Sequence, residues 1–239
     1  MPDLLAELAD ARERTLALAA RLSRDQLLGP RLPIVNPPLW ELGHVAWFQE
    51  RWILRRAGLP PLRPDGDALY DSTAIPHDAR WSLPLPGLEQ TLSDLGVIAA
   101  RVRARVERGE ADPYFVRLAV FHEDMHWEAM AFTRQTLGYA APWTDAGPEE
   151  GPAGALPGDV HVPGGTFLLG AARDEPFVFD NEKWAHPVEL APFRIARAPV
   201  TQREFAAFVE DGGYRRRALW SDAGWRWREA SAATRPVYW

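Results

Sequence analysis

The apolar residues of the N-terminal half follow a helical repeat, recurring every three to four positions in four separate stretches. The last stretch begins at Asp112, a favourable N-cap with proline at the next position, and ends at Gly138. The predicted helices cover residues 2–22, 38–57, 88–108 and 112–138. Four amphipathic helices joined by turns and one long loop, residues 59–86, predict an antiparallel four-helix bundle.

The pattern changes in the second half of the chain. Residues 141–158 are rich in Pro, Gly and Ala without periodicity and predict a linker between two domains. The stretches DVHVPGGTFLLGA and HPVELAPFRIARAPV predict short strands, with a turn at Gly164 and Gly165, and TQREFAAFVEDGG predicts a helix. We therefore predict a bundle domain at 1–140 and an irregular α+β domain at 159–239. These strands are too few to close a sheet, so we expect a fragment of a longer protein.

The composition is that of an ordinary soluble globular protein, with 46% apolar and 25% charged residues among 239. A net charge of −6 without a long basic run argues against nucleic-acid or membrane-surface binding. No apolar stretch is long enough to span a bilayer, and the acidic N-terminus is unlike a signal peptide, so we expect a cytoplasmic protein. Because there is no cysteine, any metal must be bound by histidine or carboxylate.

The fourth predicted helix carries a candidate metal motif. His122 and His126 are spaced i, i+4, so both imidazoles leave the same helix face one turn apart. The tetrad matches the zinc-protease pattern, in which Glu123 would be the general base. Zinc proteases need a third ligand downstream, and only Glu128 is available on this helix, on the wrong face. Two histidines on one helix face are also common without a metal, so the motif alone leaves both interpretations open.

His44 is the other candidate ligand. It lies in the middle of the second predicted helix among aromatic residues, where a packed core histidine would be unremarkable. If the second and fourth helices face each other, His44 completes a three-histidine set with open coordination positions. Neutral imidazoles suit Fe, Zn, Cu or Ni, and the ligand types do not choose among them. Glu123 is then either a partner that orients a ligand histidine or a solvated helix charge.

These motifs resemble a known enzyme family. NPPLWELGHVAWFQE followed by HEDMHWEAM is similar to the DinB-like helical domain of the non-heme iron sulfoxide synthases of ergothioneine biosynthesis. VPGGTFLLG, FDNEKWAHPVEL, PFRIARAPVTQREFAAFVEDGGY and LWSDAGW resemble the opening of the C-type-lectin-like, formylglycine-generating-enzyme (sulfatase-modifying-factor) domain that those enzymes carry next. The resemblance covers nearly the whole chain, in the same order.

The resemblance implies a site and a reaction. Iron(II) would be bound by His44, His122 and His126, and the enzyme would join a thiol, cysteine or γ-glutamylcysteine, to hercynine with O2, leaving a sulfoxide. The family binds its sulfur donor through arginines after the first ligand helix, which makes Arg80 the substrate-binding candidate, although a structural arginine fits equally well. The family's catalytic tyrosine and betaine-binding residues are expected beyond Trp239, so none is assigned.

The sequence leaves the acceptor and three alternative functions open. Met125 stands where the family commonly has a glutamine that touches the histidine-derived substrate, which leaves the acceptor's identity or pose undecided. A selenoneine synthase, forming a C–Se bond from a selenosugar, resembles this region equally well. The same three histidines also fit a DinB-type thiol transferase that uses zinc. A metal-free bundle attached to a lectin-like binding module is the interpretation that involves no enzyme.

Overall fold

The structure, a computed structural model, describes residues 3–142 and 156–239. Most of the predicted linker 141–158 lies outside the described residues. The chain forms two compact units, one comprising Met1–Asp145 and Asp174–Asn181 and the other comprising Ala146–Arg173 and Glu182–Trp239. The first is the helical unit and the second is the mixed unit, and each is described by itself.

The helical unit confirms the predicted four-helix bundle. Its helices are α1 (Leu4–Ala19), α2 (Arg24–Leu28), α3 (Pro38–Gln49), α4 (Gly66–Tyr70), α5 (Leu88–Glu107) and α6 (Pro113–Thr136). The long helices α1, α3, α5 and α6 make up the bundle, and two of them have side-chain caps. Asp3 accepts the N–H groups of Leu5 and Ala6 at the start of α1, and Asp112 accepts that of Tyr114 at the start of α6.

The bundle core lies around α3. This helix packs against both α5 and α6, and α6 in turn packs against α1. The core side chains are almost all aliphatic and completely buried, and burial of each large one stabilises the fold by about 1.5–3 kcal/mol. They include Leu18, Leu42, Leu54, Leu95, Ile98, Val102, Val116 and Met130. Because α3 contacts two partner helices, almost every position on it is buried, including its polar residues.

The helix that starts as α3 departs from regular geometry after Gln49. Its next turn, Glu50–Leu54, is a π-helix, followed by a 3-10 turn, Arg55–Ala57. The carboxylate of Glu50 is buried and accepts the N–H of Leu62 at 2.5 Å, while burial raises its pKa. The segment predicted as a long loop, residues 59–86, is ordered into α4 and a 3-10 helix, His77–Trp81.

The mixed unit contains two small antiparallel sheets. Its strands are β1 (Asp159–Val162), β2 (Gly165–Leu169), β3 (His186–Leu190) and β4 (Phe193–Ala196). The predicted strands are confirmed, but the predicted turn at Gly164 and Gly165 is wrong, because Gly165 is the first residue of β2 and no turn precedes it. β1 pairs with β4 and β2 pairs with β3, so β1 and β2 do not form a hairpin with each other. The strand side chains are exposed or half-buried.

Two helices complete the mixed unit, α7 (Gln202–Glu210) and α8 (Asp222–Ser231). The first was predicted, and Thr201 with Glu204 forms a capping box at its start. The second was not predicted, because the Trp- and Arg-rich segment lacks a clear period. Its start is nevertheless marked in the sequence, since Ser221 accepts the N–H of Gly224.

The segment Asp174–Asn181 belongs to the helical unit although it comes after the predicted linker. Phe177 stacks on Tyr114 of α6 with ring centroids 5.1 Å apart, and Val178 is buried with its carbonyl accepting the Tyr114 hydroxyl at 3.3 Å. Among the described residues, no helix is both long and apolar enough to cross a membrane.

Candidate metal centre

Three histidines from α3 and α6 meet inside the helical unit. The Nε2 atom of His122 lies 3.2 Å from that of His44 and 3.1 Å from that of His126. Two nitrogens that bind one ion at about 2.1 Å, with an angle between 90° and 109°, are about 3.0–3.4 Å apart. Both separations fall in this range, and the ligand atoms of all three histidines lie within 4.8 Å of one another. The structure therefore brings the three sequence-predicted ligands into one cluster, with the spacing of a shared ion in two of its pairs.

The partner of each Nδ1 atom decides which nitrogen faces the cluster. The Nδ1–H of His44 donates to the carbonyl of Tyr70 at 2.7 Å, and that of His126 donates to the carboxylate of Glu41. Both rings therefore keep the lone pair on Nε2, the form that binds metal ions. The Nδ1 atom of His122 is buried and has no hydrogen-bond partner among the described residues.

Burial keeps the imidazoles of His44 and His122 neutral. Desolvation, together with the neighbouring His126, lowers the pKa of His44 to about 4. Desolvation also lowers the pKa of His122, and the charges of the other two histidines add to the effect. A neutral imidazole offers its lone pair without losing a proton first, so both rings are ready to bind a cation at neutral pH.

Aromatic side chains surround part of the cluster. Trp40 stacks on His44 with ring centroids 4.6 Å apart, and Trp47 covers the same ring at 5.6 Å. Phe48 stacks on His122 at 3.5 Å with the rings almost parallel. Among the three imidazoles, that of His126 is the most exposed, with 16% of its side chain accessible. The cluster is therefore most exposed to solvent at His126.

Glu41 is a site residue that the sequence analysis missed. It lies one turn before His44 on α3 and is 1% exposed. Besides the bond from His126, it accepts the side-chain N–H of Asn36 at 2.7 Å. Burial acts to raise the pKa of Glu41, but the hydrogen bonds from His126 and Asn36 outweigh it and hold the pKa below its ordinary value. The i, i+3 spacing of Glu41 and His44 places both on one helix face, and this spacing could have indicated that Glu41 lies near the ligands.

Glu123 occupies neither of the positions that were expected for it. It is 0% exposed, so it is not a solvated charge, and within the described residues its carboxylate hydrogen-bonds Arg12 and Gln49 and no histidine. Its carboxylate accepts Arg12 Nε at 2.7 Å and Gln49 Nε2 at 2.9 Å. Glu123 follows His122 directly in sequence, and consecutive residues of a helix point in directions about 100° apart. The side chain of Glu123 therefore points toward α1. Glu128 is exposed and is not part of the histidine cluster.

Arg80, the predicted substrate-binding residue, lies beside the cluster but does not touch it. Its Nη1 donates to the side-chain oxygen of Asn36 at 2.6 Å, and its guanidinium lies 4.0 Å above the ring of Trp40. Desolvation lowers the pKa of this half-buried arginine, and its Nε has no partner among the described residues. Met125, the residue before His126, is 51% exposed.

Gly43 leaves room for the ring of Tyr70, the residue whose carbonyl accepts the Nδ1–H of His44. A Cβ atom at position 43 would lie 2.3 Å from the Tyr70 ring, far inside van der Waals contact. The Gly43→Ala substitution is therefore expected to lower the free energy of unfolding by about 1–3 kcal/mol, because a closely packed aromatic ring must move. Urea unfolding followed by circular dichroism measures this change.

The control for this prediction is Gly96→Ala on α5. Gly96 is also helical, but a Cβ there would meet no atom within 4 Å. This substitution is expected to raise the free energy of unfolding by about 0.5–1 kcal/mol, the helix preference of alanine over glycine. If both variants shifted stability in the same direction and by the same amount, close packing at Gly43 would not be the reason for its glycine.

Comparison with known proteins assigns the two halves of the chain to two known types of domain. Residues 7–130 match the DinB superfamily, and residues 144–238 match the sulfatase-modifying factor enzyme 1-like domain. A hercynine oxygenase of Mycolicibacterium thermoresistibile is 37% identical over 247 residues, covering 99% of this chain and 54% of that protein. A hercynine oxygenase of Mycolicibacterium smegmatis is also 37% identical over 247 residues, covering 98% of this chain and 56% of that protein. The formylglycine-generating enzyme of Streptomyces coelicolor is 41% identical over 81 residues, covering 33% of this chain and 26% of that enzyme.

The chain spans about half the length of the hercynine oxygenases that it matches. The two matched regions follow each other in the order that the sequence motifs predicted. The first region covers just over half of the chain and contains all three clustered histidines. The chain therefore belongs to the DinB superfamily and carries, after its helical unit, a segment that matches the sulfatase-modifying factor enzyme 1-like domain.

Proposed function

We propose that this chain carries the metal site of a non-heme iron(II), O2-dependent enzyme that joins a thiol to hercynine. The observation that carries the proposal is the convergence of His44, His122 and His126, with Nε2 separations of 3.1–3.2 Å. The 37% identity to two hercynine oxygenases over nearly the whole chain supports hercynine as the acceptor. The donor would be cysteine or γ-glutamylcysteine.

The proposed reaction is an oxidation by one molecule of O2. The C2–H bond of the hercynine imidazole and the S–H bond of the thiol are replaced by a C–S bond. One oxygen atom of O2 becomes the sulfoxide oxygen, and the other leaves as water with the two hydrogens. Iron(II) bound by the three imidazoles would supply the electron transfer that O2 chemistry needs.

The chain's own residues would hold and shield the ion. His44 and His126 are fixed by Nδ1–H donation to Tyr70 and Glu41, so their Nε2 lone pairs face the cluster. All three ligands are side chains without a negative charge, so an iron(II) ion would keep its full charge for an anionic thiolate. Trp47 and Phe48 keep water from the buried side of the rings, which leaves the side of His126 for substrates.

Arg80 is the proposed binding residue for the thiol substrate. Its guanidinium lies close to the cluster, above Trp40, and its Nε is not engaged by any described residue. A carboxylate of cysteine or γ-glutamylcysteine matches the guanidinium fork. The exposed side chain of Met125 offers an apolar contact for the acceptor, in place of a hydrogen bond from glutamine.

Two other functions remain candidates. A selenoneine synthase would use the same site with a selenosugar as donor, whose selenium would take the place of the thiol sulfur. Two observations favour a zinc-dependent thiol transferase. The chain belongs to the DinB superfamily, and its three clustered histidines are neutral nitrogen ligands that bind zinc as well as iron. The three functions differ in their need for O2 and in their donor.

The test is turnover by the full-length protein loaded anaerobically with Fe²⁺. Hercynine is supplied with cysteine, γ-glutamylcysteine or a selenosugar in parallel reactions. We expect O2 uptake only when hercynine and a thiol are both present, with a product of the two substrates plus one oxygen less two hydrogens. Mass spectrometry identifies the product, and an oxygen electrode follows the uptake.

The matched control is the same protein loaded with Zn²⁺. If the zinc form, without O2, joins the thiol to an alkyl halide with release of halide, and the iron form takes up no O2 with hercynine and a thiol, the thiol transferase is the correct function. Product only from the selenosugar would identify the selenoneine synthase instead. Metal analysis of protein purified without chelators addresses the remaining alternative, since a metal-free binding module should carry less than a tenth of an equivalent.

A further inference from the structure

We propose that Glu41 is a positioning residue of the three-histidine site, whose carboxylate fixes the orientation and the tautomer of His126. The inference rests on the proposed function in one respect, because it takes the cluster to bind a metal ion. It concerns how the protein prepares one ligand, whichever metal and substrates the site uses.

The first argument is the contrast between the three rings. His44 is held between Trp40 and Trp47, and His122 lies flat against Phe48. No such stacking partner covers His126 in the described part of the chain, where its ring contacts are tilted or edge-on to the other two histidines. The most exposed ring of the three therefore depends on a hydrogen bond for its orientation.

The second argument is the proton on His126. A neutral imidazole carries one N–H, and a carboxylate can only accept. The contact between Nδ1 and the Glu41 carboxylate therefore requires the proton to be on Nδ1, which leaves the Nε2 lone pair directed at His122, 3.1 Å away. With the proton on Nε2 instead, the ring could not bind a metal ion through that atom.

The third argument is the burial of Glu41 itself. A buried carboxylate is stable only when hydrogen-bond donors satisfy it, and the two donors here are His126 and Asn36. Asn36 is oriented by Arg80, whose Nη1 donates to the Asn36 oxygen, so the amide N–H group must point at Glu41. In the chain of bonds from Arg80 through Asn36 and Glu41 to His126, the Nδ1–H of His126 is thus the one donor that the described residues offer to the second carboxylate oxygen.

The test compares Glu41→Gln with the wild type. Glutamine has nearly the same shape, but its carbonyl oxygen would accept the Asn36 N–H, which turns its amide N–H group toward His126, so the ring is no longer held in the Nδ1–H tautomer. We expect the affinity for Co²⁺, measured by competition titration against a chromophoric chelator, to fall by about 10- to 100-fold. In the metal-free protein, ¹⁵N–¹H spectra of labelled histidine should show a pure Nδ1–H tautomer for His126 in the wild type and a mixture in the variant.

The matched control is Glu123→Gln. Glu123 is an equally buried carboxylate, three residues before His126 on α6, but it bonds Arg12 and Gln49 instead of a histidine. We expect this variant to keep the wild-type His126 tautomer and a Co²⁺ affinity within about threefold of wild type, whatever it does to the melting temperature. Only six histidines contribute to the spectra, and His126→Ala identifies the relevant signals.

The outcomes separate the two proposals. If the wild type bound neither Co²⁺ nor Fe²⁺, the proposed function would fail, while the tautomer of metal-free His126 would still test the role of Glu41. An unchanged tautomer and affinity in Glu41→Gln would overturn the positioning role. Equal losses of affinity in the Glu41 and Glu123 variants would also overturn it, because they would reflect general damage to the bundle.

Discussion

Replacing His44 by alanine is expected to lower the affinity of the chain for Co²⁺ by about a hundredfold or more. Structural sites with four protein ligands bind zinc with about 10–16 kcal/mol, so one ligand is worth about 3 kcal/mol, or a factor of about 100 in affinity. His44 is the one ligand contributed by α3, and its Nε2 lies 3.2 Å from that of His122. Competition titration with Co²⁺ measures the change.

Two further variants make this test specific. His161 is exposed on β1 of the mixed unit, so His161→Ala should leave the affinity unchanged. His122→Ala should lose as much affinity as His44→Ala, because each removes one nitrogen of the same set. Far-UV circular dichroism shows whether the bundle is still folded. A folded His44→Ala protein with wild-type affinity would mean that α3 contributes no ligand and that the three-histidine interpretation is wrong.

The pair of histidines on α6 follows from the helical repeat alone, but their partner does not. The i, i+4 spacing of His122 and His126 fixes their common face without reference to any other helix. Placing His44 with them depends on the packing of α3 against α6. The apolar repeat of a helix does not show which other helix it packs against. The bundle prediction made His44 a candidate only on the condition that the second and fourth helices face each other, and the resemblance of the two motifs to a known family then implied it as a ligand.

The two buried glutamates show the limit of the same reasoning. Glu41 and Glu123 both lie on ligand helices beside histidines in sequence, and the pattern suggested only Glu123 as a partner for a ligand. The structure assigns that contact to Glu41, which bonds His126 across the helix interface. Glu123 bonds Arg12 instead. The rotation of α3 relative to α6 decides which carboxylate bonds which imidazole. This rotation cannot be predicted from the sequence of either helix alone.

The fold was predicted where structure is local. In each of the four bundle helices the apolar residues keep a helical repeat over many turns, so these helices can be predicted without knowing what they pack against. The pairing of β1 with β4 joins segments far apart in sequence, and the alternation within each strand is compatible with several partners. The π-helical turn Glu50–Leu54 also gave no signal, because one inserted residue barely changes the apolar pattern.

Replacing Arg12 by methionine is expected to lower the free energy of unfolding of the helical unit by about 3–5 kcal/mol. Arg12 has 13% of its side chain exposed and Glu123 has none, and the two form an ion pair at 2.7 Å. Without Arg12, the carboxylate keeps only the amide of Gln49 as a partner, and a buried charge that has lost its counter-ion is strongly destabilising. Urea unfolding at neutral pH, followed by circular dichroism, measures the loss.

The neighbouring pair provides the control, since Arg14 bonds Asp124 at 2.7 Å between the same two helices. Arg14 is 36% exposed, and such pairs contribute about 0–1 kcal/mol, so Arg14→Met should cost less than about 1 kcal/mol. Combining Arg12→Met with Glu123→Leu should recover most of the stability, because two apolar side chains leave no charge unpaired. If the double variant were no more stable than Arg12→Met, the loss would come from poor packing around position 12 instead of from the unpaired carboxylate.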